Sequence, residues 1–123
     1  MEEPLRLNNS EIRLMELIWE QGTLPARQLY HLAQEALGWN KNTTYTVLGG
    51  LVRKGAVLRE DPGFLCTPLV SAQQVRRQET RSHIDRFYKG SLGMFFSSFL
   101  ERETLSPEEL EQLRQIIREK SEG

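Results

Sequence analysis

Up to Gly55 the apolar residues recur at helical spacing, and each run closes on a glycine. Ile12, Met15, Leu17, Ile18 and Trp19 form a broad apolar face, which predicts a first helix from about Ser10 to Gln21. Asn8 or Ser10 can cap it, Asn8 and Glu11 have capping-box spacing, and Gly22 stops it. Pro25 suits a first helical turn, and Leu29, Leu32, Ala33 and Ala36 carry the period of a second helix to Leu37, ended by Gly38. A third helix is predicted from Lys41 to Lys54, capped by Asn40, with Gly55 beyond its end. Its core face is Thr44, Val47, Leu48 and Leu51, while Asn42, Thr43, Tyr45, Thr46, Gly49, Gly50 and Arg53 share the opposite face.

The period then changes. Val57 to Glu60 and Phe64 to Thr67 read as two short strands around a tight turn, Asp61-Pro62-Gly63. Ser71 and Gln74 open a polar helix that runs to about Lys89 and breaks at Gly90. Leu92 to Leu100 is strongly apolar. Ser106-Pro107-Glu108-Glu109 is a helix start whose stripe is Leu110, Leu113, Ile116 and Ile117. The fold class is mainly α with a small β-wing: a winged helix-turn-helix domain over residues 1–70 and a helical region over 71–123. A unit as small as the second has little surface of its own for its apolar load. Phe87, Leu92, Phe95, Phe96, Phe99, Leu100, Leu110, Leu113, Ile116 and Ile117 are therefore expected to meet a second copy of the chain. The alternative is that these helices fold back onto the first domain.

Composition narrows the function. The formal net charge is −1, from 16 Lys and Arg against 17 Asp and Glu, which by itself argues mildly against nucleic acid. Local charge matters more, because phosphate contacts act at short range in salt. Between Asn40 and Arg59 lie Lys41, Arg53, Lys54 and Arg59 and no acid. A helix in the major groove reads base edges with short polar side chains and positions itself through basic ones. Asn42, Thr43, Tyr45 and Thr46 are the candidate base contacts, and Lys41, Arg53, Lys54 and Arg59 the candidate phosphate contacts. Gly49-Gly50 is anomalous, since a mid-helix glycine costs up to ~1 kcal/mol against alanine. It marks either a close approach or drift on a tolerant surface. The only cysteine, Cys66, permits no internal disulfide; it reads as a small strand residue, with a redox switch as the sharper alternative. His31 and His83 stand alone. No enzyme, cofactor or metal is expected. The acidic Met1-Glu2-Glu3-Pro4 start and the absence of a long apolar run place the chain in the cytoplasm.

Several segments together carry a family resemblance. They are Glu11 through Trp19 with Met15, then Trp39-Asn40-Lys41-Asn42-Thr43-Thr44-Tyr45-Thr46 and Arg53-Lys54-Gly55. Tyr88-Lys89-Gly90-Ser91-Leu92 and Leu105-Ser106-Pro107-Glu108-Glu109-Leu110-Glu111-Gln112-Leu113 extend it through the C-terminus. In their order and spacing the chain resembles the BlaI/MecI family of penicillinase repressors over nearly its whole length. The resemblance implies a homodimeric repressor that binds a palindromic double-stranded operator of β-lactam resistance or related genes. It also implies relief by a membrane-bound sensor metalloprotease that cuts the dimerisation region, here at the Ser98-Phe99 position. The chain departs from the pattern in its short wing turn, in Gly49-Gly50, and in Ser98 where the family often has asparagine. It lacks the cysteine cluster of the family's copper-responsive branch. The other function in view is a winged-helix protein-interaction module that does not bind DNA.

Overall fold

Helix α1 (Asn9–Gln21) starts where the sequence supplies a cap. The Asn8 side chain accepts from the Glu11 N–H at 2.8 Å, and the Glu11 carboxylate accepts from the Asn8 N–H at 2.9 Å. Strand β1 (Leu24–Pro25), α2 (Ala26–Leu37) and α3 (Lys41–Arg53) follow. This computed structural model describes residues 5–123, so the reading of Met1–Pro4 lies outside the described residues. Helix α2 begins at Ala26 instead of Pro25, because Pro25 is extended (φ −65°, ψ 145°) and pairs with Leu65 in a sheet. Gly38 ends α2 at φ 70°, ψ 20°, a left-handed conformation that a side chain would strain. Asn40 caps α3 by accepting from the Thr43 N–H at 2.8 Å, and the helix ends at Arg53 with Lys54 as its C-cap.

Strands β2 (Val57–Glu60) and β3 (Leu65–Pro68) form the wing. β1 adds to the far side of β3, giving the antiparallel order β1-β3-β2. Phe64, predicted as the first residue of the second wing strand, instead completes the turn at φ 50°. Its carbonyl accepts from the Ala26 N–H at 3.0 Å, which ties the wing tip to the start of α2.

The three helices and the wing enclose one core. Leu14, Met15 and Ile18 of α1 meet Leu29 and Ala33 of α2, Leu48 and Leu51 of α3, and Val57 and Cys66 of the wing. Leu14 is fully buried at the centre of the α1 stripe, whereas Ile12, Leu17 and Trp19 lie at its partly buried margins. Val47 is likewise marginal and Ala36 is exposed. Thr44 is buried without penalty, because its hydroxyl donates to the Asn40 carbonyl at 3.1 Å inside its own helix. The Trp19 indole N–H donates to the Val70 carbonyl at 2.8 Å and fixes the chain leaving the wing.

Helix α4 (Ala72–Phe87) is opened by Ser71 and Gln74, each side chain bonding the other's N–H. The chain divides inside it into two compact units, the first ending at Ser82 and the second starting at His83. The first unit extends past the wing, and Val75 of α4 belongs to its core. The second unit contains α5 (Leu92–Leu100), capped by Ser91, and α6 (Pro107–Glu122), which starts in a Ser106–Glu109 capping box. No residue of α5 or α6 is buried. Phe95 is the hub of a ring cluster, 5.3 Å from Tyr88, 5.2 Å from Phe96 and 5.9 Å from Phe99 between centroids. No helix among the described residues is long and apolar enough to cross a membrane.

Cys66 is fully buried, and its thiol donates to the Phe64 carbonyl at 3.4 Å. Burial pushes the thiol above its ordinary range, against the pull of Arg59. The thiolate is the reactive form. Native protein is therefore expected to resist Ellman's reagent at neutral pH, while urea-unfolded protein reacts at once. Rapid reaction of the folded protein would restore the redox alternative.

Candidate nucleic-acid interface

The polar face of α3 is open to solvent from its first turn. Lys41, Asn42, Thr43, Tyr45 and Thr46 are all exposed there, as is Arg53 at the other end. The cap explains the geometry: Asn40 engages the Thr43 backbone, which leaves the Thr43 side chain outward. Thr46 donates its hydroxyl proton to the Asn42 carbonyl at 2.9 Å. In that rotamer it offers a base edge an acceptor oxygen and a methyl group. Arg59 projects from β2 over the Phe64 ring, 5.1 Å from its centroid.

Lys54, a candidate phosphate contact, already has partners within its own chain. Its ammonium donates to the Glu11 carboxylate at 2.6 Å and to the Arg6 carbonyl at 2.8 Å. Glu11 is almost wholly buried, a position a lone carboxylate could not hold without partners. Lys54, which the sequence places at a helix end beside Arg53, is thus the counter-ion of a buried acid on α1.

The same carboxylate accounts for half of the glycine pair. A Cβ on Gly50 would stand 2.9 Å from Glu11 Oε2, so any side chain there requires the buried carboxylate to shift. At Gly49 the nearest atom to a built Cβ is Arg53 Nη1 at 3.4 Å, the movable end of a long side chain.

Beside the polar face lies a groove of about 800 Å³ between α2, α3 and the wing. Arg27 and Tyr30 line it from α2, Lys41 and Tyr45 from α3, and Arg59 and Phe64 from the wing. The Tyr30 and Tyr45 rings are 6.4 Å apart, and the Lys41 ammonium stands 5.7 Å over Tyr30. Burial, with Tyr45 and Cys66 adding to it and Arg59 opposing, pushes the Tyr30 phenol above its ordinary pKa. Arg27, Tyr30 and Phe64 are absent from the sequence-derived interface. Arg27 and Tyr30 lie on α2 and Phe64 on the wing turn, and the β1–β3 pairing brings the wing tip against α2. No cluster of side chains among the described residues could hold a metal ion.

A helix-turn-helix followed by a two-stranded wing, with an acid-free polar face on the second helix of the pair, defines a winged-helix protein of the DNA-binding type. The model of the penicillinase repressor family matches residues 7–119, and the chain belongs to that family. It is 28% identical over 116 residues to the penicillinase repressor of Bacillus licheniformis, covering 93% of this chain and 91% of that one. It is 27% identical over 116 residues to the methicillin resistance regulatory protein MecI of Staphylococcus aureus, covering 93% and 94%. The solution structure of the DNA-binding domain of the repressor BlaI matches in fold, with a TM-score of 0.54 at 22% identity over 60% of this chain and 93% of that domain.

The two glycines should separate under substitution. Gly49→Ala is expected to raise stability by up to about 1 kcal/mol through helix propensity. Gly50→Ala must displace a carboxylate held by both a cap and a lysine, and is expected to lower stability by roughly 1–2 kcal/mol. Urea midpoints of the two variants check this, and equal gains at both positions would contradict it.

Proposed function

We propose that this chain is a homodimeric transcriptional repressor that binds palindromic operator DNA of β-lactam resistance or related genes and is relieved by proteolysis. As a member of a repressor family it is a regulator and not an enzyme. Residues 1–70 read the DNA and residues 71–123 hold the dimer. The observation that carries the DNA reading is the exposed, acid-free face of α3 within a fold matched by the BlaI DNA-binding domain. Asn42, Thr43, Tyr45 and Thr46 are assigned to base edges, and Lys41, Arg53 and Arg59 to phosphates. Three such contacts per subunit give roughly six neutralised phosphates per dimer. Affinity should then fall by about a thousandfold between 50 and 200 mM salt. Thr46→Ala is expected to lose about 1–3 kcal/mol of base preference. Arg53→Ala should weaken all sequences alike and flatten the salt slope. Titrations on the duplex upstream of the chain's own gene and on random duplex measure both, and unchanged base preference in Thr46→Ala would overturn the assignment of the groove face.

The dimer reading rests on apolar surface that the single chain leaves open. Phe87, Leu92, Phe96, Phe99, Leu100, Leu110, Ile116 and Ile117 are all exposed, and Phe95 and Leu113 are only partly covered. Proteolysis fits the same region. Ser98 and Phe99 sit exposed in the last turn of α5, and a cut between them severs α6 from Phe95 and Phe96. Each winged domain would survive but lose its tethered partner, a loss on the order of a hundredfold to ten thousandfold in DNA affinity. A membrane-bound sensor metalloprotease is the partner proposed for that cut.

Two outcomes are expected. Phe96→Asp with Leu113→Asp should sediment as a monomer at micromolar concentration where wild type sediments as a dimer; a monomeric wild type would remove the basis of the switch. In cells given a β-lactam, the repressor should shorten to an end at or near Ser98, whereas full induction with only intact chain would rule proteolysis out.

A further inference from the structure

The groove between α2, α3 and the wing tip is not absorbed by base reading. Its three cations sit on three different elements, Arg27 on α2, Lys41 on α3 and Arg59 on β2, and no acid lines it. Its walls are three aromatic rings, Tyr30, Tyr45 and Phe64, two of them already carrying a cation over their faces. Lys41, Tyr45 and Arg59 also belong to the DNA-facing surface, so the groove opens onto the interface proposed above.

We propose that this groove seats the sugar-phosphate backbone of the DNA strand flanking the recognition helix, with Arg27 and the Tyr30 hydroxyl as phosphate donors and Phe64 packed against a deoxyribose. The assignment rests on the repressor reading and adds α2 and the wing tip to the contact surface. Three cations spread over three elements match a succession of phosphates better than a single small anion. A groove that orients the duplex by its backbone carries no sequence information. The Ala26 N–H to Phe64 carbonyl bond at 3.0 Å fixes the wing tip at the start of α2, holding Phe64 and Arg27 on the same short stretch of groove. The Tyr30 phenol is protonated at neutral pH like any tyrosine and has a proton to give.

The test compares wild type, Arg27→Ala and Tyr30→Phe on the duplex upstream of the chain's own gene and on random duplex, across a salt series. Melting temperatures confirm that each variant is folded; Arg27 is exposed, and Tyr30→Phe removes a single oxygen. Arg27→Ala is expected to bind both duplexes about tenfold or more weakly and to reduce the salt slope by about two for a dimer, one phosphate per subunit. Tyr30→Phe should weaken both duplexes several-fold with the slope kept, since it carries no charge. Base preference should stay at the wild-type value in both variants. If wild type binds DNA and Arg27→Ala matches it in affinity and slope, the groove assignment is wrong while the repressor reading stands. If Arg27→Ala keeps DNA affinity but loses wild-type binding of phenyl phosphate, the groove belongs to a small anion and the proposal is overturned. A wild type with no affinity for any duplex would bring down the repressor reading itself.

Discussion

A buried carboxylate sets the position of the recognition helix. Glu11 closes the cap of α1, takes the Lys54 ammonium at 2.6 Å, and lies close against Gly50 of α3. One acid thereby ties three pieces of chain: the cap at Asn8, the end of α3 at Lys54, and the segment at Arg6 whose carbonyl shares the same ammonium. Burying a charge is unfavourable unless it is paired and hydrogen-bonded, and one partner alone would leave most of that cost standing. The angle between α1 and α3 is thus specified by electrostatics as well as by Leu14, Met15 and Leu48 packing. Since α3 presents the polar face, its rotation about its own axis decides which side chains point outward.

The rest of the first unit builds outward from this frame. The core locks α2 and α3 together, the wing closes over them through β1–β3 pairing, and the tip returns to α2 through Phe64. Each step places another cation along one groove: Lys41 from α3, Arg59 from β2, Arg27 from α2. The overall charge of −1 hides this segregation. The second unit follows the opposite logic. Its helices are well capped, so they form, but their apolar side chains remain open. Good local propensity with an unfilled apolar face is what the dimer proposal rests on.

Much of this was legible in the chain. Caps at Asn8, Asn40, Ser71 and Ser106, with glycine stops and the apolar period, located α1 to α4 and α6 to within a few residues. These are local effects, and sequence records them directly. The failures were non-local. β1 has two residues and no pattern of its own; it is a strand because β3 lies beside it, which moved the start of α2 off Pro25. Lys54 looked like a free cation because its acid is 43 residues away. Gly50 looked like an anomaly for the same reason. Arg27, Tyr30 and Phe64 were invisible as a group, since nothing in their spacing shows that a turn brings them to one groove.

The central claim is that two copies of this winged domain, held by the C-terminal helices, grip one operator through backbone and base contacts. Ethylation interference on the duplex upstream of the chain's own gene tests it most directly. The account predicts two equivalent clusters of interfering phosphates, related by two-fold symmetry and centred one helical turn (~10 base pairs) or a multiple of it apart. A single cluster, or protection without any two-fold relation, would contradict it.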